Sequence, residues 1–197
     1  LTGEAGIGKT RLASEVATFA TISGFQTLRV ALREGDAERP LFAFIGQIKQ
    51  LLSLPGSLGC SPDSLSLLQL LLENEKGARR VHERGLNLVS SFDKAPRAIV
   101  DLIEAVTSES PLLITIDNAS HLDGSTAALI RTLALSNVRL LVILTMRELK
   151  KSQLTLSADG WRLLHLSRVS EDSAELLLDE ILDGRAVPTD LRAWFLR

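Results

Sequence analysis

Eight residues near the start of the chain have types and spacing that can do chemistry together. Gly3-Glu4-Ala5-Gly6-Ile7-Gly8-Lys9-Thr10 fits G-x-x-x-x-G-K-[ST] without a mismatch. Glycines at positions 3, 6 and 8 permit backbone angles that a Cβ forbids, so successive N–H groups can turn inward around an anion. Lys9 brings a cation to the β- and γ-phosphates of a nucleotide, and the Thr10 hydroxyl can ligate Mg²⁺. From Arg11 onward the chain reads as a helix, whose N-terminal dipole adds to the attraction. The expected ligand is a nucleoside triphosphate, held by Gly3, Glu4, Ala5, Gly6, Ile7, Gly8, Lys9 and Thr10.

A second group lies far along the chain. Pro111 to Asp117 (PLLITID) is a near-continuous apolar run ending in a carboxylate, the pattern of a strand buried on both faces of a parallel sheet. Ligands of such sheets bind beyond the carboxyl ends of the strands. Asp117 there can hold Mg²⁺ opposite Thr10; its plainer reading is a helix N-cap or turn residue. Hydrolysis also needs a group that orients or deprotonates water. Asn118 follows Asp117, and an amide can orient water but cannot take its proton at neutral pH. Glu4, His121 and Asp123 are helpers by proximity in sequence only. A third run, Leu141 to Glu148 (LVILTMRE), puts Thr145 and Arg147 at the end of another buried strand. Thr145 can reach the attacking water or the γ-phosphate. Arg147 can sense γ-phosphate charge, or simply form a surface salt bridge.

These groups need elements to position them. Leu12, Val16, Phe19 and Ala20 recur at helical spacing before Gly24, a helix stop. Residues 26–33 alternate as a strand, with Leu28, Val30 and Leu32 on one face. A polar loop, 34–40, leads to one helix over 41–54, broken at Pro55-Gly56-Ser57. Leu65, Leu68, Leu71 and Leu72 predict a helix capped near Asp63 or Ser64. Residues 76–84 form a basic run, read as a solvated face rather than a polyanion contact. Pro96 is expected to start a helix through Ile99, Leu102, Ile103 and Val106. A helix over 125–136, a strand over 140–145, a short strand over 163–166 and a helix over 171–182 complete the pattern. The order predicts an α/β fold with a parallel sheet. Almost nothing precedes the glycine-rich loop, so Leu1 and Thr2 are expected to be the last residues of its strand. The sequence thus reads as part of a longer protein, and as unstable without that strand.

The composition excludes some classes. The 197 residues carry a formal net charge of −2, which gives no global basic field for nucleic acid. With Cys60 as the single cysteine, neither an internal disulfide framework nor a cysteine-rich zinc site is possible, and a reducing cytoplasm is the natural setting. No apolar run reaches the ~20 residues of a membrane span. His82, His165, Trp161 and Trp194 read as structural.

Taken in order, GEAGIGKTRLASEV, EGDAERPLFAFIGQIKQLL, LLITIDNASHLDGSTAALI, LVILTMRE and RLLHLSRVSEDSAELLLDEIL resemble the ATPase module of the STAND class of AAA+-like P-loop NTPases. The bacterial type, found in LuxR-type regulators and with adenylate/guanylate cyclase domains, is most similar. The resemblance implies a three-layer sandwich whose core spans 1–152, with a variable helical insert at 55–95. The last core strand and the start of a helical lid would occupy 153–197. It implies Walker A at 3–10, Walker B at Asp117 and the arginine of the following strand at Arg147. The catalytic set would be Asp117, Asn118 and Arg147, with Mg²⁺ at Thr10 and Asp117 and ATP or ADP as ligand. It also implies a switch that self-associates or contacts neighbouring domains; composition adds the expectation of a cytoplasmic setting without direct nucleic-acid or membrane contact. Asn118 departs from the family's usual Asp or Glu, and Ser120-His121 from a frequent His-Trp pair, so the expected hydrolysis is slow or conditional. The rival readings are an efficient AAA+-type ATPase doing mechanical work and a nucleotide-free interaction scaffold.

Overall fold

The computed structural model describes residues 1–76, 88–147 and 161–182. Helix α1 spans Lys9–Ile22 and strand β1 spans Gln26–Ala31. Two short helices follow, α2 (Phe42–Ile45) and α3 (Ile48–Leu52), then α4 (Pro62–Lys76) and α5 (Leu88–Glu109). Strand β2 (Leu112–Asp117), α6 (Gly124–Leu135), β3 (Leu140–Leu144) and α7 (Glu171–Leu182) complete the order. The fold is α/β, as the alternation of elements predicts.

The three strands are parallel, in the order β1-β2-β3. Helices cover both faces. Ala17 and Ala20 of α1 pack on Leu113, beside Ile143. The small side chains let the helix sit close to the sheet. The larger core lies on the other face, where Leu28, Val30, Leu32, Ile114, Ile116 and Leu144 meet α2 to α6. Every β2 residue from Leu112 to Thr115, and Ile116, is buried. Its apolar run therefore reflects burial on both faces.

Several boundaries differ from expectation. The helix expected over 41–54 is two helices, with Gly46 and Gln47 between them. Glycine weakens helix continuation there. Helix α4 begins at Pro62, and Ser61 Oγ accepts the Ser64 N–H at 3.4 Å. Ser61 is thus the cap, and Pro62 takes the first helical position, where its missing N–H costs nothing. Pro96 does not start its helix but lies inside α5. Ala95, Ala98, Ile99 and Leu102 are fully or nearly fully buried, and this packing outweighs the lost hydrogen bond. The short strand expected at 163–166 is a single parallel bridge between Thr2 and His165. Cys60 is buried beside Asp101. Burial first, and then that carboxylate, push its thiol pKa up to about 11. Among the described residues no helix is long and apolar enough to cross a membrane. Most of the basic run at 76–84, His82, Glu148 and Trp194 lie outside the described residues.

Candidate functional site

The glycine-rich loop joins Thr2 to α1. Gly6 and Gly8 have φ of 79° and 100°, with open space where a Cβ would stand. Conformation, not crowding, selects glycine at these two positions. Gly8 is the N-cap of α1, which has no side-chain cap. Among the described residues the N–H groups of Gly6, Gly8, Lys9, Thr10 and Arg11 meet no backbone acceptor. A helix start left open in this way has the donors and dipole to hold an anion. Helix α6 shows the contrast, because Asp123 accepts the Thr126 N–H at 2.8 Å and closes that start.

Lys9 Nζ turns back onto the loop, donating to Gly3 O at 2.8 Å and Glu4 O at 2.6 Å. Its ammonium is therefore held at the loop by weak neutral acceptors. Phosphate oxygens would be stronger partners for it.

Asp117 ends β2 and meets the loop across the sheet edge. Thr10 Oγ1 donates to both of its carboxylate oxygens, at 3.1 and 3.0 Å. Thr145, just past β3, donates its hydroxyl to Asp117 Oδ1 and accepts the Asn118 N–H at 3.3 Å. Thr145 is almost completely buried, so it fixes the carboxylate from beneath while Thr10 holds it from the solvent side. Asn118 has φ of 55°, and its Nδ2 donates to Leu32 O at 3.3 Å. The amide therefore ties the ends of β2 and β1 together.

These residues border a cleft of about 760 Å³, within the range of small-molecule sites. Of the glycine-rich loop, Ala5, Gly6, Gly8, Lys9 and Thr10 line it, while Gly3, Glu4 and Ile7, expected in the same set, do not. Asp117, Asn118 and Arg147 line it too, so the three distant segments converge as the sequence suggests. The Arg147 guanidinium is exposed and has no ion pair among the described residues. Its carbonyl accepts the Gly3 N–H at 3.2 Å. Arg11, Ser120 and His121 also line the cleft. Arg11 is signalled only by its place in the first turn of α1.

Asp123 takes no part in the cleft lining. It is buried, capping α6 and accepting the Leu41 N–H at 3.0 Å. Its signal in the sequence is D-G-S-T, a helix start. Glu4 points its carboxylate to Arg168 at 3.6 Å, on the surface.

Among the described residues no cluster of three His, Cys, Asp or Glu could hold a metal. The hard oxygens of Thr10 and Asp117 nevertheless suit Mg²⁺, which commonly takes one or two protein ligands and fills its shell with phosphate and water. The donor set therefore fits a Mg²⁺–polyphosphate.

No protein-family model matches the sequence, and no curated protein does. The fold is similar to that of a chain in the E. coli MS115-1 HORMA:CdnC:Trip13 complex, with a TM-score of 0.54 and 15% identity. The match covers 99% of this chain and 56% of that one. At such identity the likeness concerns the fold alone.

Proposed function

We propose that this chain is a P-loop NTPase module that binds ATP or ADP with Mg²⁺ and acts as a regulatory switch. Hydrolysis would be slow or conditional. The carrying observation is the convergence of Thr10 on Asp117 at 3.0 and 3.1 Å beside a helix start with open N–H groups. In this reading the loop N–H groups and Lys9 bind the phosphates, while Thr10 and Asp117 hold Mg²⁺. The metal would shield phosphate charge. Arg147, exposed at the cleft, would contact the γ-phosphate, an interaction that ATP makes and ADP lacks. Such a difference is what shifts a population between two states.

Asn118 supports slow turnover. Its amide cannot accept a proton, and its Nδ2 is engaged by Leu32 O. The resemblance to STAND modules extends the proposal to a cytoplasmic bacterial signalling or transcriptional regulator, with self-association or neighbouring domains as partners. Equilibrium binding of fluorescent ATP and ADP, with and without Mg²⁺, tests the reading. Binding that requires Mg²⁺ and is lost in Lys9→Ala is expected. Binding indifferent to both would sink it.

A further inference from the structure

The turn that follows β2 brings two residues to the cleft that the nucleotide reading leaves unused. Ala119 is fully buried, and its N–H donates to Thr145 O at 2.8 Å. Leu122 is buried as well, and its N–H donates to Ala119 O at 3.2 Å. Asp123, next in the chain, is locked into the α6 cap and onto the Leu41 N–H. Between these anchors the backbone makes a single 3₁₀ turn, Ala119–His121, closed by the His121 N–H on Asn118 O at 3.0 Å. With Ala119 and Leu122 held in the core, Ser120 and His121 are left to line the cleft. His121 thus reaches the cleft from a fixed turn rather than from a free loop.

Attack of water on a γ-phosphate releases a proton, and a positioned group that takes it lowers the barrier. Among the described residues that line the cleft, Lys9, Arg11 and Arg147 are cations without acceptor capacity. The Asn118 amide takes no proton at neutral pH. Asp117 is a carboxylate, but Thr10 donates to both of its oxygens and Thr145 to one of them. Its lone pairs are committed to those hydroxyls. Glu4 pairs with Arg168, and neither it nor Asp123 lines the cleft. His121 is half-buried, and its ring has no hydrogen bond or ion pair among the described residues. His165 differs, with its Nδ1 3.2 Å from the Thr2 hydroxyl. A neutral imidazole keeps one basic nitrogen, so His121 is the uncommitted proton acceptor among these cleft residues.

Resting on the reading of the cleft as a nucleotide site, we propose that His121 is the general base for hydrolysis, the role that Asn118 cannot fill. The water oxygen forms a bond to the γ-phosphorus while the bond from that phosphorus to the bridging oxygen breaks. The bridging oxygen keeps the electron pair and leaves as part of the nucleoside diphosphate. One water proton passes to the basic nitrogen of His121, which returns it to solvent once phosphate has left.

The test uses the full chain and His121→Gln, which keeps a polar side chain in the turn but takes no proton near neutral pH. Single-turnover release of phosphate from ATP with Mg²⁺ should fall about a hundredfold, the lower end of what a positioned base contributes, while affinity for labelled ATP stays within about twofold. In His121→Ala, added imidazole should restore part of the lost turnover. The chain has three histidines, so the ring resonance that disappears from the NMR spectrum of His121→Gln is identified directly. In the native chain that resonance should shift when ATP and Mg²⁺ are added. Unchanged phosphate release in His121→Gln would overturn the proposal. So would a fall matched by an equal loss of affinity, which would make His121 a binding residue, or a native chain that binds ATP without moving the His121 resonance. Failure of the native chain to bind Mg²⁺–nucleotide would overturn the reading of the cleft together with this proposal, whereas the other outcomes leave binding standing.

Discussion

Strand β3 has two contrasting boundaries. At its carboxyl end Thr145 is buried in a polar network that joins Asp117, Asn118 and, through Asp117, Thr10. Along its outer edge the Leu140 carbonyl, both Val142 backbone groups and the Leu144 N–H have no partner among the described residues and border an apolar groove. One boundary is polar and almost fully satisfied; the other is apolar and open. The polar end leaves its free groups at the loop and Arg147, where a ligand of opposite charge can meet them. The groove along the outer edge is lined mostly by apolar side chains, with Arg162 at its border. The two boundaries therefore differ in what they expose, polar and charged side chains at one and apolar side chains beside backbone at the other.

Substitutions can break this comparison. The largest effect is expected from Lys9→Ala, which should weaken Mg²⁺–nucleotide affinity by at least about a hundredfold, the worth of a lost charge-assisted contact of roughly 3 kcal/mol. Titration with labelled nucleotide reads it, and the melting temperature without nucleotide should barely move. Asp123→Ala acts on the start of α6 and its tie to Leu41. It removes the α6 cap and strands the Leu41 N–H, so denaturant unfolding should show a loss of about 2–3 kcal/mol. Retained stability would mean that water replaces the carboxylate.

Thr145→Val keeps the shape of the side chain and deletes the hydroxyl beneath Asp117. Stability should fall by about 1–2 kcal/mol, because the Asn118 N–H loses its acceptor. Calorimetry measures this, and a parallel loss of nucleotide affinity would show that the carboxylate had swung away. The smallest effect belongs to the groove beside the open edge, which Leu163 lines from the opposite side. Leu163 is 60% exposed, so Leu163→Ser should change stability by no more than about 0.5 kcal/mol. A larger loss by the same assay would show that this edge is already covered in solution.

Much of the site is legible because its signals are local. The glycines, Lys9 and Thr10 form one contiguous motif, and PLLITID announces both a buried strand and the carboxylate that ends it. Other features have no local signature. Thr145 reads as a hydroxyl near a ligand, yet it holds Asp117 from 28 positions away. Asp123 reads as a cleft residue by its closeness to Asp117, yet packing turns it inward to Leu41, 82 positions away. Leu41 itself takes a φ of 58°, unfavourable for a leucine, at the position where Asp123 holds its N–H. Pro96 follows a sound rule for helix starts, but the buried face of α5 overrides it.

Residue type and spacing along the chain determined the α/β alternation, the glycine-rich loop and the acidic end of β2. These follow from backbone freedom, hydrophobic period and charge, which neighbours in sequence set among themselves. Only the tertiary structure decided that Thr10 meets Asp117, that Asn118 ties β2 to β1, and that β3 pairs with β2. Those outcomes depend on strand order and register, fixed by packing between residues far apart in the chain.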